Sequence, residues 1–211
     1  TAPASCVYGQ PVTLTVTPDE NYSIVNVTYN DGTVHNVDIN NGVYSFTMPN
    51  ANVTVSATFG IDPNAIPYMA YNTTTGKMEQ RIHVNPTAVT AATTTLGTAE
   101  GESWYIVNND VTVTGRMTAH GTVHLILADG ATLTTVAGIT VHEGNTLHIY
   151  GQADGTGAIV ATVVDAGGNY AAIGTEDNSG DPETHTLDPK VLGTVNIHGG
   201  HITATGGAWS A

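Results

Sequence analysis

The sequence has few charged side chains, and most of them are acidic. Its 211 residues include 4 Lys and Arg against 18 Asp and Glu, which gives a formal net charge of −14 at pH 7. Charged residues make up 10% of the chain, against about a quarter in an average soluble domain. Because so few cationic groups cannot neutralise a run of phosphates, the sequence predicts that nucleic acid is not a partner.

Cysteine and long apolar runs are also scarce. The single cysteine, Cys6, excludes an internal disulfide framework, and no C-x-x-C motif is present. No apolar run approaches the roughly 20 residues of a membrane-spanning helix, so no membrane insertion is expected. The residues that are abundant, threonine, valine and 24 glycines, favour extended strands with tight turns. The composition therefore predicts an all-β protein.

The first 59 residues alternate in polarity with a period of two, and turn residues interrupt the pattern. Five such segments are Val12–Thr17, Tyr22–Tyr29, His35–Ile39, Val43–Met48 and Asn52–Phe59. They predict a compact antiparallel meander of four or five strands in residues 1–59. Residues 60–82 are predicted to form a linker with a hairpin, in which Tyr68–Tyr71 pairs with Lys77–Ile82.

The end of this block carries a recognisable motif. Residues 44–59 read Tyr-Ser-Phe-Thr-Met-Pro-Asn-Ala-Asn-Val-Thr-Val-Ser-Ala-Thr-Phe. This segment resembles the divergent internalin-type B repeats of bacterial surface proteins. The resemblance implies that residues 1–59 are a spacer module of such a protein, without catalytic residues.

Residues 83–211 contain internal repeats. Thr122–Ile126 aligns with Thr146–Tyr150 and with Thr194–His198. In the same way, Gly130–Thr134 aligns, after a slip of one residue, with the segments that begin at Gly157 and Gly200. Coils of about 20–24 residues, each built from three short strands, predict a right-handed parallel β-helix, or β-solenoid. Residues 175–193 interrupt the period and are predicted to form an inserted loop.

The β-helix half also resembles known sequences. The segment Thr-Val-Asn-Ile-His-Gly-Gly-His-Ile-Thr-Ala-Thr-Gly-Gly at 194–207 is similar to the repeated coils of gut-commensal-type bacterial surface proteins, and the similarity covers roughly residues 95–211. It implies that the β-helix is truncated at its C-terminal end. An uncapped end of this kind predicts end-to-end association with another copy.

Alternation along the aligned strands divides their side chains between two faces. The residues expected to point inward are Val123, Leu125, Leu147, Ile149, Val195 and Ile197. The residues expected on an outward strip are His124, Ile126, His148, Tyr150, Asn196 and His198. Three interpretations stay open for this strip: an ordinary sheet surface, a binding surface for a sugar or a protein, or a Zn²⁺ shared by neighbouring imidazoles.

Two further groups are candidates for ligand contact. Tyr170 and Trp209 occupy equivalent places in two repeats and predict either a core plug or an exposed aromatic pair for glycan stacking. The acidic loop supplies Asp177, Asp181 and Glu183, whose oxygen atoms suit Ca²⁺, although their spacing is not that of an EF-hand. The sequence predicts no cofactor: a solvated loop is the first interpretation of this segment, and a Ca²⁺ site is the alternative.

Catalytic patterns are weak throughout the chain. A glycan lyase needs a cation beside a base, but the repeats supply only Arg116, with Lys190 in the inserted loop. Asp129 and Asp154 each precede glycine, as expected of turn residues. The G-x-S-x-G nucleophile motif is missing. The sequence therefore predicts a protein without enzymatic activity.

Together these patterns predict an extracellular or cell-surface bacterial module that binds a host protein, such as immunoglobulin or mucin, or a host glycan. One alternative is a carbohydrate-binding β-helix. Another is the N-terminal part of a glycan-degrading enzyme whose active groove lies beyond residue 211.

Overall fold

The computed structural model describes residues 1, 3, 5–163, 171–175 and 192–206. Within these residues the secondary structure consists of strands, and no helix occurs. The chain divides into two compact units, Thr1–Ala65 and Ile66–Ala211. The prediction of an all-β protein is therefore confirmed.

The first unit contains six strands in two antiparallel sheets. They are β1 (Pro11–Leu14), β2 (Tyr22–Asn30), β3 (Val34–Asn36), β4 (Asp38–Asn40), β5 (Val43–Thr47) and β6 (Thr54–Ile61). One sheet has the order β1-β5-β4 and the other has the order β3-β2-β6. The predicted antiparallel module is confirmed, but a simple meander is wrong, because β1 pairs with β5 and β2 pairs with β6.

The reason for this order lies at Val37, in the middle of the strand predicted at His35–Ile39. Val37 is 7% exposed and packs in the core of the unit with Val12, Leu14 and Val27. Its N–H donates to the carbonyl of Val27 at 2.9 Å. Burial of this one side chain divides the predicted strand into β3 and β4, which belong to different sheets.

The second unit begins with a two-stranded hairpin formed by β7 (Ala65–Asn72) and β8 (Lys77–Val84). The Asn72 carboxamide organises the turn: its oxygen accepts from the N–H of Thr74 at 2.9 Å, and its nitrogen donates to Glu79 Oε2 at 2.8 Å. The hairpin predicted from the sequence is thus confirmed.

Eleven further strands follow in the described part of the chain, and the ladders between them are parallel. They are β9 (Thr87–Ala88), β10 (Thr95–Val107), β11 (Val111–Val113), β12 (Met117–Leu127), β13 (Thr132–Thr135), β14 (Ile139–Val141), β15 (Thr146–Gly151), β16 (Ala158–Thr162), β17 (Ile173–Gly174), β18 (Thr194–Ile197) and β19 (His201–Thr205). A four-stranded sheet has the order β11-β13-β16-β19, and the other seven strands form a second sheet.

The pairing registers confirm the repeat alignments made from the sequence. Thr122 pairs with Thr146, which pairs with Thr194 on its other side. Leu133 pairs with Ile159, so the predicted slip of one residue is present in the four-stranded sheet. Equivalent residues of successive repeats therefore lie beside one another at the usual strand spacing of about 4.8 Å.

The two parallel sheets enclose a column of apolar side chains. Leu125 and Leu147 from one sheet and Leu133 from the other are fully buried in the same cluster. Val195 packs against this cluster as predicted, but Ile197 is 56% exposed. Ile197 pairs with Ile149 of the column, as expected of an inward position, and it is exposed because no described strand covers the other side of β18.

Gly121 separates the two pairing segments of β12. Residues 117–119 pair with β14, whereas residues 122–127 pair with β15. The φ angle of Gly121 is +66°, and a Cβ atom there would overlap the carbonyl oxygen of Thr98 and lie 3.0 Å from that of Gly101. Glycine is required here because the backbone of the preceding repeat fills the space of a side chain.

Candidate functional site

The outer face of the seven-stranded sheet carries the histidines that the repeats align. His124 pairs with His148, and His148 pairs with Asn196. The sheet also adds a residue that sequence reasoning missed, since Trp104 pairs with His124. The alignment of repeats gave little signal for it, because residues 103–107 read Ser-Trp-Tyr-Ile-Val where residues 123–127 read Val-His-Leu-Ile-Leu.

Five rings form a continuous stack along this face, here called the ring stack: His83, Trp104, His124, His148 and His198. Trp104 lies between two imidazoles, with ring centroids 4.1 Å from those of both His83 and His124. His124 and His148 follow at 4.9 Å with an interplanar angle of 5°, and His148 and His198 at 5.5 Å with 23°. For Trp104, His124 and His148 the strand spacing sets these separations, because these three residues occupy paired positions on neighbouring strands.

Two tyrosines border the ring stack. The hydroxyl of Tyr150 lies 3.0 Å from Nδ1 of His124, and its ring stacks on His198 at 4.7 Å. Tyr68, from the hairpin, packs at a tilted angle against Trp104 at 5.1 Å and Tyr150 at 4.8 Å. The hairpin and the sheet therefore share a second apolar cluster on this face.

The expectation that the whole strip stands open to solvent is wrong for three residues. His124 is 8% exposed, Tyr150 is 6% exposed and Ile126 is fully buried. The hairpin explains the difference, because Tyr68 and Ala70 pack in the same cluster as Tyr150 and Ile126. The alignment of repeats could not reveal this cover, since the hairpin lies outside the repeats.

The other predicted members of the strip remain half-buried, namely His148, Asn196 and His198. Nδ1 of His148 lies 3.3 Å from Nε2 of His198 and 3.4 Å from the Asn196 amide nitrogen. The Asn196 amide nitrogen can only donate, so Nδ1 of His148 acts as the acceptor and the His148 proton lies on Nε2. His198 then donates to the same Nδ1 atom, so its proton also lies on Nε2. These polar ring edges face the accessible part of the site.

Three histidines of the ring stack, His124, His148 and His198, have their pKa values shifted towards the neutral form. Burial, reinforced by His148, His83 and His198, lowers the pKa of His124 from 6.5 to about 4. Burial also lowers the pKa of His148, with a further contribution from His198, and that of His198 itself. Burial raises the pKa of Tyr150, so its phenol keeps its proton. The imidazoles of His124, His148 and His198 are therefore neutral at pH 7.

One nitrogen of the site lacks a hydrogen bond. Nε2 of His124 is buried and makes none, and Glu102 Oε2 lies 3.8 Å away. The Glu102 side chain is 67% exposed. A buried polar atom without a hydrogen bond costs free energy, so the neutral state of His124 is held by packing rather than by a complete set of hydrogen bonds.

The geometry also decides how a ligand can approach. Inside the ring stack each ring face covers the face of its neighbour, with interplanar angles of 5–13° between the four rings from His83 to His148. A sugar that stacks on an aromatic ring needs a free face. The accessible side of the ring stack offers ring edges with nitrogen atoms, which suit hydrogen bonding.

The remaining predicted site residues lie outside the described part of the chain: Tyr170, Trp209, Asp177, Asp181 and Glu183. Their roles in glycan or Ca²⁺ binding stay predictions. Within the described residues, no group of three or more His, Cys, Asp or Glu side chains is arranged to hold a metal ion. The same residues include no helix of the length and apolarity needed to cross a membrane.

The turn role expected of Asp129 is visible in its contacts. Its carboxylate accepts from the backbone N–H groups of Asp154 at 3.0 Å and Thr156 at 3.1 Å, which belong to the turn of the next repeat. The carboxylate therefore joins two successive turns.

Comparison with known proteins supports one part of the chain. A family model described as the divergent InlB B-repeat domain matches residues 1–63. This family is typically associated with bacterial surface proteins. No curated protein and no solved structure matches the chain. Residues 1–63 are thus similar to a repeat module of bacterial surface proteins, in agreement with the resemblance seen in residues 44–59.

Proposed function

We propose that the chain is a non-catalytic recognition module of a bacterial surface protein, located outside the cell. In this proposal the first unit is a spacer and the second is a right-handed parallel β-helix that presents a binding surface for a host protein. The match of residues 1–63 to the B-repeat family supports the surface location.

Three columns of parallel pairing support the β-helix. Met117 pairs with Ile139, Thr122 with Thr146 and Leu133 with Ile159, so each repeat contributes three strand segments to three stacked columns. Stacked repeats of this kind build an extended rigid face from short segments. A rigid face binds without the entropic cost of ordering loops.

The accessible edge of the ring stack is the observation that carries the binding proposal. His148, His198 and Asn196 are half-buried, and Nδ1 of His148 is already within hydrogen-bond distance of the other two side chains. These polar side chains are held in fixed positions by the packed rings of the ring stack. The centres of protein–protein interfaces have the same character, with aromatic groups held in place. The covered ring faces favour a protein over a stacked sugar.

The test measures binding of the purified chain to immobilised immunoglobulin and to mucin, with a glycan array in parallel. We expect saturable binding to a host protein that His148→Ala with His198→Ala weakens at least about tenfold, because the edge loses its nitrogen atoms. His201→Ala is the matched control, since His201 is an exposed histidine on β19 of the other parallel sheet.

Three results would contradict the proposal. Equal binding by the double variant would place the binding surface elsewhere. Specific array signals without protein binding would favour the carbohydrate-binding alternative. New reducing ends released from a glycan substrate would favour the enzyme alternative.

A further inference from the structure

The β7–β8 hairpin is attached to the parallel sheet largely through rings. It forms its own two-stranded sheet, so its backbone pairing does not depend on the repeats. Tyr68 packs against Trp104 and Tyr150, and His83 stacks on Trp104 with an interplanar angle of 13°. The side chain of Gln152 adds a hydrogen bond to the carbonyl of Pro67 at 2.9 Å. Movement of Trp104 or Tyr150 would therefore release the hairpin.

Four of the five rings in the ring stack can take up a proton. His124 and His148 are 4.9 Å apart, and His148 and His198 are 5.5 Å apart, so two neighbouring charges would repel each other strongly in a half-buried site. The other titratable or charged groups that act on these rings and on Tyr150 are Glu102, Arg81 and the phenol of Tyr68. Glu102 is thus the carboxylate that acts on His124 and His148.

The backbone cannot relieve this repulsion. Hydrogen bonds between parallel strands hold His124 and His148 at paired positions, and the apolar column on the other face anchors the same strands. The side chains can only rotate towards water. Rotation of His124 would remove the flat neighbour of Trp104 and the partner of the Tyr150 hydroxyl, and both of these residues support Tyr68.

We propose that the ring stack is a pH-sensitive clasp, which holds the β7–β8 hairpin on the parallel sheet while its imidazoles are neutral and releases it when they are protonated. Opening exposes the apolar face formed by Ile106, Ile126 and Tyr150, which the closed hairpin helps to bury. The chain then presents a polar ring edge at neutral pH and an apolar surface under mild acid. The clasp is a property of the chain alone and requires no binding partner.

The test follows backbone amide exchange of the whole chain between about pH 7.5 and about pH 4.5, corrected for the intrinsic effect of pH on exchange. We expect protection in β7 and β8 to fall at least about tenfold, whereas β12 and β15 keep theirs. Nuclear magnetic resonance of the imidazoles should give the same midpoint as the loss of protection. Unchanged protection in the hairpin, or a loss of protection whose midpoint differs from that of the imidazole resonances, would overturn the proposal.

Variants of the ring stack distinguish release of the hairpin by imidazole protonation from a general loss of stability in acid. With His124→Gln, His148→Gln and His198→Gln combined, we expect protection of the hairpin to become independent of pH over this range. His201→Gln is the matched control and should behave as the original chain. Loss of protection with acid in the triple variant, as in the original chain, would overturn the proposal.

A single substitution gives a second test if the triple variant does not fold. The slope of the logarithm of the opening constant against pH counts the protons taken up on opening. His148→Gln should lower this slope by about one, because it removes one proton-binding ring. An unchanged slope would show that His148 takes no part in opening and would contradict the proposal.

Discussion

The two units solve the problem of burying apolar side chains in different ways. In the first unit two small antiparallel sheets meet over four buried residues, Val12, Leu14, Val27 and Val37, each 2–7% exposed. In the second unit many members of the apolar column, such as Leu125 and Leu147, are fully buried. In a stack of repeats, the repeats before and after a strand each cover one of its edges, whereas a small sandwich leaves its edge strands open.

The open side of the first unit is visible as a cavity of about 720 Å³. Its lining includes Val12, Phe46, Met48 and Val55, which belong to the core of the unit or pack against it. The first unit therefore has a core that solvent reaches, while the column of the second unit is closed. We expect equivalent substitutions to cost more free energy of unfolding in the second unit.

Glycine-to-alanine substitutions should give the largest difference in free energy of unfolding between the two units. Gly121 and Gly42 both have positive φ angles, +66° and +79°. A Cβ at Gly121 would meet two backbone carbonyls, whereas a Cβ at Gly42 has nothing within 4 Å. Gly121→Ala should lower the free energy of unfolding by about 4 kcal/mol or more, and Gly42→Ala by about 1 kcal/mol. Chemical denaturation of each variant, followed by amide exchange, measures both values; equal losses would contradict the argument.

Truncation of buried leucines should give the next largest difference in free energy of unfolding between the two units. Leu125→Ala should cost about 3–4 kcal/mol, because neighbours fixed by parallel ladders on both sides cannot close the cavity. Leu14→Ala should cost about 2 kcal/mol, near the lower limit for such changes, because it lies in the more open unit. Unfolding in urea checks the two values, and a greater cost for Leu14→Ala would contradict the comparison.

The two units should also respond to acid over different pH ranges. His124 has its pKa lowered to about 4 in the folded chain, so the unfolded chain binds more protons between about pH 4 and pH 6.5. The stability of the second unit is complete above about pH 6.5 and falls as the pH drops towards 4, by up to about 3 kcal/mol from this residue. Denaturation of the original chain and of His124→Asn measures this difference, which should be much smaller in the variant.

In the first unit the shifted group is an acid. A hydrogen bond from the backbone of Thr33, with smaller effects from His35, lowers the pKa of Asp31 below 3.8. Stabilisation by this carboxylate is present above that value and is lost as the pH falls through the lower, folded-state pKa. Asp31→Asn should therefore leave the behaviour of the chain between pH 4 and pH 6.5 unchanged, and an effect in this range would contradict the assignment.

Removal of side-chain hydrogen bonds should give the smallest difference in free energy of unfolding between the two units. The guanidinium of Arg116 donates to the carbonyls of Ala137 and Ala171, at the turns of two later repeats. Arg116→Gln should cost about 1–3 kcal/mol, because it removes charge-assisted hydrogen bonds in a partly buried place. Asn36→Ala removes an exposed amide pair with Asn26 at 3.3 Å and should cost less than about 0.5 kcal/mol. Thermal unfolding of both variants checks this order.

Repeats made much of the second unit predictable from the sequence. Because Thr122–Ile126 and Thr146–Tyr150 share their alternation, the sequence predicts both the register and the inward side chains, and the structure has both. The cover over His124 and Tyr150 was not predictable in this way. It arises from contacts of Tyr68 and His83 with residues far along the chain, and no periodic pattern records contacts of that kind.

In the first unit the sequence predicts the turn at Asn41-Gly42 correctly, but the predicted order of the strands in the sheet is wrong. Asn41-Gly42 predicts a two-residue turn, and both residues have the positive φ angles that such a turn requires. The pairing of β1 with β5 joins segments about 30 residues apart, and local alternation does not select such a partner.

The pairing of Thr122 with Thr146 has a genetic consequence. A segment of this length is a self-contained unit that carries one imidazole of the ring stack, several members of the apolar column and its own turn. In-frame duplication of such a segment would add a ring to the line of histidines without altering the neighbours on either side, because each strand contacts only the one before and the one after it. The length of this surface can therefore change by copying or deleting whole segments of the gene, while single substitutions change only its chemistry.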